Sequence, residues 1–145
     1  MRIKLFASLL ALPLLAAAFA APAQESTPVG RWKTFDDKTG KQMTVTEIYA
    51  AKNGTYAAKI VETVGMAPNC DECSGKDKGK PVVGMHTLWN LKPKGTGTWG
   101  DGNGFKPSEG MNFTAKSVKL VDGGKKLEVT GCKFVFCRTQ TWVRE

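Results

Sequence analysis

The residues with the most chemistry to offer here are the four cysteines. Cys70 and Cys73 form a C-x-x-C in the loop "NCDECSGKDKGKP", and Cys132 and Cys137 bracket the tip "CKFVFC". Three chemistries compete for them. A four-cysteine zinc site needs a C-x-x-C and a second close pair, which both spacings allow. A thioredoxin-like redox pair needs a thiol whose pKa is lowered at a helix N-terminus. Asp71 and Glu72 lie between Cys70 and Cys73 and would raise a thiol pKa instead. Disulfides are the third option, and they follow if the chain is exported into oxidising surroundings.

Other reactive groups are sparse. His86 is the only histidine, and no partner that would make it a general base is visible beside it. The segment "DGNGFKPSEG" spaces Asp101 and Asn103 like calcium ligands. It then puts Phe105 at the fifth position, Lys106 where a glycine is required, and Asn112 at the twelfth, so it is not an EF-hand. No G-x-S-x-G, H-E-x-x-H or phosphate loop occurs. The expectation is a protein that is not an enzyme and carries no cofactor or metal.

Compartment decides among the cysteine chemistries. The start "MRIKLFASLLALPLLAAAFAAPAQ" has Arg2 and Lys4, then an apolar core, then Ala21-Pro22-Ala23. That is the three-part pattern of a secretory signal peptide over residues 1–23, with cleavage before Gln24. The core is too short to span a bilayer and no second apolar stretch follows, so an integral membrane protein is not expected. A periplasmic or secreted protein results, and its cysteines are expected as two disulfides. Three pairings are open; a Cys132–Cys137 bond would staple the last hairpin across a four-residue turn. Removing Arg2 and Lys4 lowers the formal net charge from +8 to +6. The basic residues are scattered, as a solvated surface would have them, and outside the cytoplasm nucleic acid is not an expected partner.

Residues 24–145 suit a single domain. Strand-like runs alternate with turn signals: "GRWKTF", "MTVTEIYA", "TYAAKIVETV", "VVGMHTLWNL", short pieces "TGTW" and "GF", "NFTAKSVKLV", "KLEVTG" and "RTQTWVRE". Asn53-Gly54 is a strong hairpin signal. Period-two alternation puts Tyr56, Ala58, Ile60 and Val64 on one face, with Glu62 interrupting it, and groups Val83, Met85 and Trp89 on another. Arg138, Gln140, Trp142 and Arg144 share a face of the last run. No helical periodicity competes. The fold class is therefore all-β: an antiparallel meander of about eight strands that removes its open edges by closing into a barrel.

"GRWKTFDDKTGKQMTVTEIY", "GTYAAKIVET", "CDECSGKDKGKPVVGM" and "CRTQTWVRE" together resemble the DUF2147 proteins, small exported bacterial proteins without an assigned function. The resemblance covers about residues 29–144 and implies a lipocalin-like fold. It supplies no catalytic or binding residue. The chain departs from the family pattern at "GNGFKPSEGMNF", which has Lys106 before Pro107 where members carry an acidic residue, and the tip "CKFVFC" is peculiar to a subgroup. Gly30-Arg31-Trp32 also resembles the lipocalin G-x-W. That likeness implies that Trp32 plugs the closed end of the barrel, with a late-strand arginine, Arg138 or Arg144, packed across it.

Two functional expectations follow. The first is a small apolar or amphipathic ligand inside the barrel, with Tyr56, Ile60, Met85 and Trp89 as wall residues and Arg138 and Gln140 meeting an anionic head group. The second is a ligand-free interaction module of the cell envelope, using the aromatic tip Phe134–Phe136 as a lid or as a contact with a partner or membrane surface.

Overall fold

The computed structural model describes residues 26–145; the signal-peptide reading of residues 1–23 lies outside them. Eight strands follow one another: β1 (Gly30–Phe35), β2 (Gln42–Ala50), β3 (Tyr56–Thr63), β4 (His86–Gly95), β5 (Thr98–Lys106), β6 (Met111–Val121), β7 (Lys126–Lys133) and β8 (Phe136–Arg144). Each pairs antiparallel with its chain neighbours. The ring closes where β1 meets β8, Trp32 opposite Arg144 and Lys33 opposite Val143. Among the described residues no helix is long and apolar enough to cross a membrane.

The strands form where β-branched and aromatic residues alternate with polar ones. Thr44, Thr46 and Ile48 of β2 are buried, while Glu47 between them pairs outside with Lys59. At the Asn53-Gly54 turn both residues take positive φ, 61° and 70°, as that dipeptide predicts. Of the sequence pieces "TGTW" and "GF", Thr98-Trp99 and Gly104-Phe105 belong to one nine-residue strand, β5, while Thr96-Gly97 makes the turn before it. Glycine weakens a lone strand, but here Gly104 is paired on both sides, with Leu88 and Phe113, and Gly102 is paired with Ala115; the space left by their missing side chains is taken by Phe113 and Leu91.

Bulges correct the face assignments. In β3, Glu62 stands opposite Val45 but Ile60 opposite Thr46, so one extra residue turns Glu62 outward, where it pairs with Arg31 at 3.6 Å. In β4, Ala58 faces Leu88 and Tyr56 faces Leu91, three residues matched to two, and Asn90 sits at the bulge with φ 56°. That bulge returns Leu91 to the core beside Leu88; an earlier shift, with Ala58 opposite Leu88 but Lys59 opposite His86, has already set Leu88 inward and Trp89 away from the core. A matching shift at β6 buries both Ala115 and Val118.

The barrel has two unlike ends. At the closed end Trp32, Ile48, Leu91, Trp99 and Leu127 pack together, with Tyr56 edge-on to Trp99 at 5.8 Å. Trp32 is fully buried and its Nε1 donates to the Pro28 carbonyl at 2.8 Å. The Arg144 guanidinium lies 4.2 Å from the centre of the indole and donates to the carbonyls of Gly124, Val29 and Thr27. Of the two arginines named from the sequence, Arg144 is the one across Trp32. At the other end the connectors 36–41, 64–85, 107–110 and 134–135 surround an open mouth.

Candidate ligand-binding site

The mouth leads into a cavity of about 380 Å³, within the size range of small-ligand sites. Its floor is Phe113, flanked by Ile60, Val129 and Trp142. Phe113 lies flat over two glycines of neighbouring strands. A Cβ on Gly104 would overlap its ring, and one on Gly131 would come within 2.7 Å of it. The missing side chains of β5 and β7 are what make room for the ring and for the space above it.

The walls are two-sided. Thr34 of β1 and Thr44 and Thr46 of β2 form a hydroxyl ladder, with Oγ1 atoms 2.7 and 3.2 Å apart. Gln140 of β8 extends it, accepting from Trp142 Nε1 at 3.5 Å and donating to Asp37 at 3.0 Å. Thr87, placed inward by β4, has a buried hydroxyl with no partner among the described residues. Across the cavity, Phe105, Met111 and Phe113 supply hydrocarbon.

Charge collects at the rim. Lys106 is held between Asp37 at 3.5 Å and Glu109 at 2.7 Å. Asp36 anchors the β1–β2 turn, accepting from the backbone N–H groups of Thr39 and Lys38 and from the Thr39 hydroxyl. The Thr39 backbone bond, then its hydroxyl, hold the Asp36 carboxyl below its ordinary range. A depressed native pKa adds stability above the unfolded value and loses it as pH falls through the native one, so this corner of the rim stays anionic at neutral pH. Arg138 is exposed on the cavity lining, and no salt bridge among the described residues includes it. Neither of the groups able to satisfy it from within does so: Glu62 is outside with Arg31, and Trp32 is under Arg144.

Of the six wall residues expected from the sequence, Ile60, Arg138 and Gln140 line this cavity. Tyr56 packs into the closed end. Met85 precedes β4 and packs with Val82 beneath the Cys70–Cys73 loop. Trp89 is turned out by the shift between His86 and Leu88, into an outer groove with Tyr49 and His86, whose side chains meet at 2.6 Å. The threonine ladder, Thr87 and Phe113 were missed. Thr44 and Thr46 carried a signal, since they alternate in step with Ile48, but threonine reads equally as an outward residue.

The cysteines pair locally, Cys70 with Cys73 and Cys132 with Cys137. The first braces the long connector against the β5–β6 turn, where Gly110 packs directly under the Glu72 carbonyl and Cys70 Sγ reaches the Pro107 carbonyl at 3.5 Å. The second joins directly opposed residues of β7 and β8. The turn is tighter than expected: the ladder continues to Lys133 opposite Phe136, leaving a two-residue loop with Phe134 at φ 56°. Thiol titration of the denatured, unreduced protein is expected to find no free thiol; four thiols, or one bound zinc per chain, would contradict the bridges.

A closed antiparallel meander of eight strands with one plugged end and one open cavity defines a lipocalin-like barrel. The solved structure of protein HP1028 from the human pathogen Helicobacter pylori, which belongs to the lipocalin family, has the same fold. It superposes with a TM-score of 0.70 at 20% identity, covering 83% of this chain and 84% of that one. Residues 30–144 match the family model described as an uncharacterized protein conserved in bacteria (DUF2147), and the chain belongs to that family. No curated protein matches it.

Proposed function

We propose that this protein is an exported carrier that holds one small amphipathic molecule in the barrel mouth, without catalysing a reaction on it. The observation that carries this reading is the two-sided cavity. Hydrocarbon from Phe105, Met111 and Phe113 faces a wall of hydroxyls, and the Arg138 guanidinium stands at the rim. An acyl chain or similar apolar body fits over Phe113. Its anionic head stays at the rim, where Arg138 donates paired, charge-assisted hydrogen bonds. The partner is thus a small molecule, and the place of action is the periplasm or the medium outside the cell.

Protein that accumulates from expression of the full chain is expected to begin at Gln24 and to carry a bound amphiphile in native mass spectra. After delipidation, calorimetry with fatty acids of graded length is expected to show one site. Arg138→Met is expected to weaken it by roughly tenfold or more, the scale of a hydrogen bond to a charged group. Failure of both proteins to bind any chain length, or equal binding by the two, would overturn the reading.

A further inference from the structure

The β7–β8 hairpin tip is unlike the rest of the surface. Phe134, Val135 and Phe136 are 90%, 86% and 77% exposed. Three consecutive apolar side chains left in water at the end of a hairpin have no part in the core. Nor do they close the mouth: Phe134 and Phe136 stand at its edge, and Val135 does not line the cavity. The tip is also stiff for so exposed a segment, because Cys132 and Cys137 are bonded beneath a two-residue loop. Its flanks are cationic. Lys133 lies opposite Phe136 and Arg138 opposite Gly131, and neither takes part in a salt bridge among the described residues. Val64 and Val83, also exposed, lie in the connector at this same end of the barrel.

We infer that this tip is a membrane-docking wedge that seats the open end of the barrel on an anionic lipid surface. An apolar point with cations at its base matches a bilayer interface: the side chains enter below the head groups while Lys133, joined by Arg138 when the cavity is empty, meets lipid phosphates. A second copy of the chain is a poorer occupant. Inserting the tip into another copy's mouth would bring Lys133 and Arg138 of one copy against the same two residues of the other. A wedge of three side chains binds weakly and reversibly, which suits a carrier that must leave the membrane. The inference stands on the tip itself and holds whether or not the cavity takes an amphiphile.

Val135 is the residue to test, because it is exposed and lies outside the cavity lining. The probe is flotation with vesicles of phosphatidylglycerol and phosphatidylethanolamine, beside vesicles of phosphatidylcholine alone, at low and high salt. The unsubstituted protein is expected to float with the anionic vesicles and to be released by salt. Val135→Asp is expected to lower that partitioning by about tenfold or more, losing apolar burial and adding repulsion. Val135→Trp is expected to raise it several-fold, with indole emission quenched by brominated lipid. Thermal midpoints and fatty-acid titrations of both variants should match the unsubstituted protein, which separates loss of docking from loss of the cavity. No flotation of the unsubstituted protein, or equal flotation of all three, would overturn the inference. So would a tip whose substitution changes only a concentration-dependent dimer or the capture of a partner protein.

Discussion

Replacing Trp32 with alanine is expected to destabilise the barrel by about 3–5 kcal/mol, the usual cost of truncating a buried aromatic. Three losses coincide at this position. The indole is fully buried, so its removal leaves a void among Ile48, Leu91 and Leu127. The Pro28 carbonyl loses the donor 2.8 Å away. The Arg144 guanidinium loses the ring beneath it, which contributes about 0.5–2 kcal/mol. Urea denaturation is the measurement, with the midpoint shifted and the slope retained. A cycle with Arg144→Met isolates the stacking: the double variant should be more stable than the sum of the two losses implies. An unchanged midpoint for Trp32→Ala would show that the closed end does not depend on its plug.

The second large effect is expected from the smallest substitution. Gly104→Ala adds one methyl, yet the Phe113 ring already occupies the position of that Cβ. Backbone strain plays no part, because Gly104 does not take positive φ. The ring must rise into the cavity or the β5–β6 ladder must spread, and overpacking of this kind costs about 1–3 kcal/mol. If the ring rises, the site shrinks as well, so fatty-acid affinity should fall together with stability. Phe113→Leu in the same chain frees the space and should recover part of the stability, a non-additivity that an indirect effect would not produce. Gly104→Ala with unaltered stability and binding would mean that Phe113 is not the floor.

What the sequence made legible, and what it hid, divides along the bulges. Alternation in β3 and β8, the Asn53-Gly54 turn and the Gly30-Arg31-Trp32 start are local signals, and β1, β2, β3 and β8 can be traced to them. A bulge is not such a signal. One extra residue in β3 sends Glu62 outward, and two in β4 bury Leu88 and Leu91 while expelling Trp89. Period-two counting carried past those points assigns the wrong face with full regularity. The site suffers more than the fold for the same reason. Ile60, Arg138 and Gln140 could be placed by counting within one strand. Phe113 could not, because its position is set by the absence of side chains at Gly104 and Gly131 on two other strands.

The two ends of the described chain lie together, on the side of the barrel away from its opening. The backbone N–H of Glu145 donates to the Arg31 carbonyl at 3.0 Å, and Arg144 holds the carbonyls of Thr27 and Val29. A fluorophore, affinity handle or solid support attached after Glu145 would therefore leave the opening unobstructed. A sensor chip coated in that orientation would present every molecule with its opening toward the flow. Ligand and vesicle could then be passed over one immobilised layer in succession, and their effects on each other read directly.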